Sequence, residues 1–416
     1  MKQRIIFDFI KEKEKSAHNR IFVLTGARQT GKTTIARHIF PDYTYLSIED
    51  PVERHNYLKL TASQWNKFYP KAILDEVQKE PVLIESIKSV YDQFDDSRYI
   101  LLGSSQFLLM EKVKESLAGR CLIMEIYPLT LPELRTSDAD DNVDNSLLFK
   151  YINKEITIED IFPSFSMDAQ FAIKTETYNY YIQYGGYPAL TNEKFSDNDR
   201  REWLDMYVKT FLERDIRDLA SFRDLEPFIK LQRYMANTTG ELANYSSIAK
   251  EAGVSIPTIQ RYIRYMELSY QALFLPAWFS NPIKKLIKAP KIHFMDYGVL
   301  QSILQKKGTP TGNEFESIVI AEIYKQIKTY RLPLTCYHLR TQGGKEIDLL
   351  LEATDYFIAI EIKKTEHVSK ADARNFSDLQ DILNKPLRQC FILSNDKETH
   401  YFADNITAVH VAAFLS

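Results

Sequence analysis

Ile21-Phe-Val-Leu-Thr-Gly-Ala-Arg-Gln-Thr-Gly-Lys-Thr-Thr34 joins an apolar run of strand length to a loop bounded by Gly26 and Gly31. The next residues, Ile35-Ala-Arg-His-Ile-Phe40, have helical character and stop at Pro41. This is the Gly-x-x-x-x-Gly-Lys-Ser/Thr pattern, with a strand before it and a helix after it. Both glycines permit backbone angles that a Cβ would forbid. The N–H groups of Gly26, Ala27, Arg28, Gln29, Thr30, Gly31, Lys32, Thr33 and Thr34 can then turn inward around phosphate oxygens. Lys32 is expected to reach the outer phosphates of ATP, and the Thr33 hydroxyl to ligate Mg²⁺.

Further along, Tyr43–Ile48 reads as a second strand and 53–68 as helix. Ala72-Ile-Leu-Asp75-Glu76 is an apolar strand ending in two carboxylates. Asp75 suits the ATP-bound Mg²⁺, and Glu76 suits a general base that polarises the attacking water. Arg98–Gln106 is the next strand. It ends in Ser104 and Ser105, candidates for sensing the last phosphate. A helix over 106–117 leads to Arg120, a candidate for stabilising transition-state charge in cis or across a subunit interface, and then to the strand Cys121–Ile126. Alternating strands and helices predict an α/β fold, a parallel sheet with helices on both faces and its ligand at the strands' carboxyl ends.

Residues 1–135 form this P-loop core. Residues 136–222 predict a helical lid and linker, opening on an acidic polar loop and including a strong helix over 199–220. Residues 223–305 predict a winged helix-turn-helix: Ser246 or Ser247 caps one helix, Gly253 turns the chain, and Ser255 caps the next, with Pro257 in its first turn. Thr258, Gln260, Arg261 and Arg264 on the second helix suit phosphates or base edges of DNA, as do Lys284, Lys285 and Lys288 in the wing. Residues 306–416 carry Glu316 on a helix, a hairpin turn over 340–345, Asp348 on one strand, and Glu361 and Lys363 on one face of the next. A long helix is expected over 369–384. Asp348 and Glu361, with Glu316 completing the shell, are candidate ligands of a second divalent metal, Mg²⁺ or Mn²⁺, with Lys363 orienting a bound water.

The phosphate loop, with Leu74-Asp-Glu-Val-Gln78, Gly103-Ser-Ser-Gln106 and Leu117-Ala-Gly-Arg120, resembles a family of bacterial and archaeal AAA-type ATPases that carry a C-terminal domain of unknown function. Gly343-Gly-Lys-Glu-Ile-Asp348 with Ile360-Glu-Ile-Lys363 resembles that C-terminal domain, whose fold is similar to PD-(D/E)XK nucleases. Ile347 stands where proline precedes the aspartate in many such folds. The resemblance implies an AAA-type ATPase, a winged helix and a restriction-endonuclease-like α/β domain in one chain.

The bulk composition bounds the partners. The chain has 416 residues, a formal net charge of −3 and 26% charged residues. No global field draws it to nucleic acid, so DNA binding would need a local patch. The three cysteines, Cys121, Cys336 and Cys390, form no pair pattern, which suits reduced thiols and a cytoplasmic location. No run approaches about 18 apolar residues, so no membrane partner is expected. Two functions fit. One couples ATP hydrolysis to DNA binding or metal-dependent cleavage. The other is an ATP-switched module that docks DNA, a protein partner or a second copy of itself, with a catalytically silent C-terminal domain.

Overall fold

The computed structural model of the chain describes residues 1–103, 113, 115–212, 225–280, 289–341 and 343–416. Five parallel strands, β1 (Ile21–Thr25), β2 (Thr44–Ser47), β3 (Lys71–Asp75), β4 (Arg98–Leu102) and β5 (Cys121–Glu125), lie in the order β2-β3-β4-β1-β5. β1 is buried along its whole length, as a central strand covered on both faces must be. Its side chains alternate. Ile21 and Val23 join a core with Trp65, Leu74, Ile84 and Tyr99, whereas Phe22 and Leu24 pack with Phe7, Ile10, Ile35 and Ile100. Helices Ile6–Glu14 and Lys32–Ile39 supply the second of these faces.

The helix expected over 53–68 is two helices, Pro51–Leu58 and Ala62–Phe68. Thr61 breaks it: its hydroxyl accepts from Gln64 N–H while the Gln64 side chain accepts from Thr61 N–H, a reciprocal cap that starts a new helix. The strong helix over 199–220 is an α-helix at Asp197–Met206 that loosens to a π-helix at Tyr207–Leu212. Its remainder, with Glu213, Arg214, Asp215 and Arg217, lies outside the described residues.

Next come helix Glu226–Asn237 and the pair Tyr245–Ala252 and Ile256–Leu268, turned at Gly253 (φ +68°). The hydrogen-bonding caps are Asn244 and Ser255; Ser246 and Ser247 lie inside the first helix of the pair. β6 (Ala272–Leu275) and β7 (Lys291–Phe294) then pair antiparallel, with Leu275 opposite Lys291.

The long helix Gly312–Thr329 covers one face of a second sheet. That sheet comprises β8 (Thr335–Arg340), β9 (Glu346–Glu352), β10 (Phe357–Lys363), β11 (Leu387–Ser394), β12 (His400–Ala403) and β13 (Ile406–His410), in the order β12-β13-β11-β10-β9-β8. The helix expected over 369–384 is absent as such. A 3-10 segment at Lys370–Phe376 ends where Ser377 turns extended. Asp378 is left-handed (φ +55°), and only Leu379–Ile382 is α-helical. One buried cluster runs from Leu129 through helices Phe171–Tyr184 and Glu226–Asn237 to β10, β11 and the final helix Val411–Leu415. The lid, the middle unit and the C-terminal sheet therefore share a core. Among the described residues, no helix is long and apolar enough to cross a membrane.

Candidate nucleotide site and the C-terminal charge cluster

β1 ends at Thr25, and the chain turns through Gly26 at φ +143°. A Cβ on Gly26 would sit 2.1 Å from the backbone oxygen of Ile126. Ile126 is held there by its own N–H, 2.7 Å from the Thr25 carbonyl. Gly26→Ala is therefore expected to cost on the order of 3 kcal/mol, by backbone strain and overlap together. Urea denaturation of the variant checks this, and a loss inside experimental error would contradict it.

The loop closes on itself at Gly31 (φ +90°), where helix Lys32–Ile39 begins. Lys32 is almost buried, and its ammonium donates to the carbonyls of Gly26 (2.9 Å) and Ala27 (2.7 Å). Thr30 ties the same loop by donating to the Ala27 carbonyl at 2.9 Å. The Thr33 hydroxyl donates to Asp75 Oδ2 at 2.8 Å, so the helix start and the end of β3 meet. Arg28 is half-buried, and Gln29 and Thr34 are exposed.

Glu76 has left-handed backbone (φ +58°), and its carboxylate accepts from the Gln78 side-chain amide. Ser104 and Ser105 lie outside the described residues. Arg120 is not at this site within one chain. It precedes β5, whose first residue Cys121 pairs with Ile21, the amino end of the sheet, and it binds Asp92 at 2.8 Å. The sheet's length separates it from Thr33.

Two residues at the site escaped the sequence reading. Tyr45 donates its hydroxyl to Asp75 Oδ2 at 2.8 Å. Burial, then the bond to Asp75, pushes that hydroxyl up to about 12, so it remains a donor at neutral pH. A tyrosine on the strand beside an acid-tipped strand was the available signal. Arg4 is buried and reaches three places at once: Thr30 O at 3.1 Å, Tyr127 O at 2.7 Å and Glu133 Oε1 at 3.0 Å. No local pattern marks it. Beside the loop, Ala27 packs with Tyr127, Tyr270 and Met295. The hydroxyls of Tyr127 and Tyr270 donate to the two oxygens of Glu125, each at 3.0 Å.

At the far end, β9 and β10 run antiparallel with Leu349 opposite Ile360, which brings Asp348 alongside Glu361. Asp348 Oδ2 accepts from the Ile362 N–H at 2.8 Å. Lys363 Nζ is 2.8 Å from Glu361 Oε2, and the Asn375 amide lies 3.4 Å from Oε1. Glu316 does not turn toward Glu361. It accepts from the ammonium of Lys291, on β7, at 2.9 Å. Lys291 also lies 2.7 Å from Glu346 and 3.7 Å from Asp348. Burial and the Asp348 charge raise both Glu316 and Glu361 well above the usual carboxylate range.

The expected second metal does not fit this arrangement. Asp348 and Glu316 are taken up by Lys291 and a backbone N–H, and Glu361 is taken up by Lys363. Among the described residues, no group of three or more His, Cys, Asp or Glu is placed to hold a metal ion. On the helix of the middle unit, Gln260, Arg261 and Arg264 are exposed, but Arg264 is paired with Glu267 at 2.9 Å and Arg261 lies beside the Tyr262 ring. Thr258 shares a hydrogen bond with Ser255. Lys284, Lys285 and Lys288 lie outside the described residues.

Residues 18–135 match the family described as AAA domain. This part of the chain has an AAA-type ATPase fold. Beyond the AAA domain, residues 175–309 and 311–414 match two domains of unknown function, DUF8612 and DUF4143. An uncharacterized protein of Mycobacterium tuberculosis is 26% identical over 373 residues, covering 86% of this chain and 74% of the relative. Another, from Methanocaldococcus jannaschii, is 27% identical over 305 residues, covering 67% and 61%. Among solved structures, a Walker-type ATPase of Pyrococcus abyssi is similar with a TM-score of 0.43 and 13% identity, over 71% of this chain and 93% of that one.

Proposed function

We propose that the chain binds ATP with Mg²⁺ at the Gly26–Thr34 loop, hydrolyses it, and uses the nucleotide state to set how its middle and C-terminal units dock a DNA or protein partner. The observation that carries the nucleotide reading is the meeting of Thr33 with Asp75 at 2.8 Å, in front of a loop whose lysine donates to two backbone carbonyls of its own loop. A first-turn hydroxyl and a strand-end carboxylate are the oxygen donors that a hard cation takes. Bound there, Mg²⁺–ATP would supply the phosphoryl electrophile and its charge neutralisation.

The chain's own residues have separable tasks. Loop N–H groups and the start of helix Lys32–Ile39 bind anionic oxygen. Lys32 exchanges its two carbonyl partners for phosphate. Tyr45 and Thr33 orient Asp75. Glu76, once it leaves Gln78, accepts the proton of the attacking water on its carboxylate.

Coupling to the rest of the chain is supported by β7. Met295, which follows β7, joins Ala27 of the phosphate loop in one buried cluster, and Lys291, at the other end of β7, enters the C-terminal carboxylates. Hydrogen–deuterium exchange over 289–296 tests this. Mg²⁺–ATP is expected to change protection there in the wild type and not in Lys32→Ala. Protection that ignores nucleotide in the wild type would refute the coupling.

Metal-dependent cleavage by a PD-(D/E)XK-like C-terminal domain is the second reading. It is favoured by Asp348 lying alongside Glu361 and opposed by the lysines beside them, Lys363 at 2.8 Å from Glu361 and Lys291 at 3.7 Å from Asp348.

A further inference from the structure

We propose that the Lys291 ammonium is the resident cation of the Glu316–Glu346–Asp348 cluster, and that this cluster clamps β7 to the C-terminal domain instead of binding a divalent metal. Lys291 is 4% exposed, so its charge is removed from water and must be balanced by protein. The contacts at 2.9 Å to Glu316 and 2.7 Å to Glu346 are charge-assisted hydrogen bonds. They reach two elements of the C-terminal domain at once, the start of helix Gly312–Thr329 and β9.

The ammonium competes with a metal for the same carboxylates. Mg²⁺ takes oxygens at about 2.0–2.1 Å, and Lys291 already lies 2.9 Å from Glu316, 2.7 Å from Glu346 and 3.7 Å from Asp348. His293 and His338 are buried nearby, but burial and the Lys291 charge hold His338 down to about 4 and push His293 well below its usual range, so both are neutral near pH 7. Arg340, opposite Glu346 in the β8–β9 register, lines the adjoining cavity of about 580 Å³ together with Glu241 and Asn313.

A second tie runs beside the first. Ser317 Oγ accepts from the Phe294 N–H of β7 at 3.2 Å and shares a hydrogen bond with Thr239 at 2.9 Å. The middle unit is therefore pinned to helix Gly312–Thr329 at two successive residues, Glu316 by an ionic tie and Ser317 by a neutral one. The clamp does not depend on the nucleotide reading, because its test uses nucleotide-free protein.

The test is titration with Mn²⁺ alone, followed by electron paramagnetic resonance, beside thermal unfolding of the same proteins. Nucleotide-free wild type is expected to show no Mn²⁺ site whose occupancy depends on Asp348, judged against Asp348→Asn. Lys291→Ala is expected to gain such a site, binding at least about tenfold tighter than wild type, because the vacated carboxylates suit a hard cation. Lys291→Met is expected to melt well below wild type, and adding Glu316→Gln to it is expected to recover part of the shift by removing an unpaired buried charge. An Asp348-dependent Mn²⁺ site in the wild type would overturn the proposal, and so would a Lys291→Met protein that melts with the wild type. If Lys291→Ala does not fold, the wild-type titration and the paired melting shifts still decide.

Discussion

Glu76→Gln lowers ATP turnover by about 10²- to 10³-fold and leaves nucleotide affinity unchanged, the expected loss of a general base. Glutamine keeps the size and the hydrogen bonds of the side chain but cannot accept the proton of the attacking water. The Glu76 carboxylate accepts from the Gln78 side-chain amide, whereas the Thr33 hydroxyl donates to Asp75. Asp75 accepts from the Glu76 backbone N–H at 3.0 Å, a donor that glutamine retains. Binding and turnover should therefore separate: single-turnover hydrolysis slows while equilibrium binding holds. Equal turnover by wild type and variant would remove Glu76 from the chemistry. Parallel loss of binding would assign it a structural role.

Arg4→Met destabilises the protein by about 3–5 kcal/mol, the cost of breaking a buried ion pair from one side. Glu133 is fully buried and accepts from Arg4, Ile5 N–H and Thr130 N–H. Removing the guanidinium leaves its charge with two backbone donors and no counterion. Two carbonyls also lose their donor, those of Thr30 in the phosphate loop and Tyr127 after β5. Methionine fills much of the same volume, so packing loss contributes little to the effect. Chemical denaturation measures it, and a change below about 1 kcal/mol would mean that the pair is no stronger than a surface one.

The effect should reach beyond the ATPase domain. Glu133 lies next to the Leu131 N–H that donates to Glu322 Oε1 at 2.8 Å, on the helix that also carries Glu316. Glu322 is bonded in turn to Lys325, whose ammonium donates to Leu129 O and the Tyr181 hydroxyl. These buried polar contacts fix helix Gly312–Thr329 against the end of the parallel sheet.

What the sequence made legible follows from how far apart the interacting residues are in the chain. The phosphate loop is local: its glycines, lysine and threonine act within one turn, and strand and helix flank it directly. The parallel sheet was legible because doubly covered strands are continuous apolar runs, as Ile21–Leu24 and Ala72–Leu74 are. The meeting of Asp348 with Glu361 followed from a hairpin and period-2 alternation.

Residues whose partners are distant left no trace. Arg4 finds Glu133 across the whole ATPase domain, and Lys291 finds carboxylates on another helix and another sheet. Nothing near Lys291 in sequence distinguishes it from a surface lysine. Glu316 lies on the expected helix, where it accepts from a lysine of the middle unit that sequence spacing does not bring to it. The helix over 369–384 failed for a local reason that apolar spacing hides: Ser377 and Asp378 leave helical backbone and end the segment. Thr61 with Gln64 was a readable cap, and it divides what spacing alone treats as one helix.

Calorimetric titration of ATP with Mg²⁺ into wild type and Lys32→Ala tests most directly whether Gly26–Thr34 is a nucleotide site. Saturable one-to-one binding by the wild type is expected, weakened at least about tenfold, or 1.4 kcal/mol, in Lys32→Ala. Absence of binding by the wild type, or equal affinity in the variant, would contradict it.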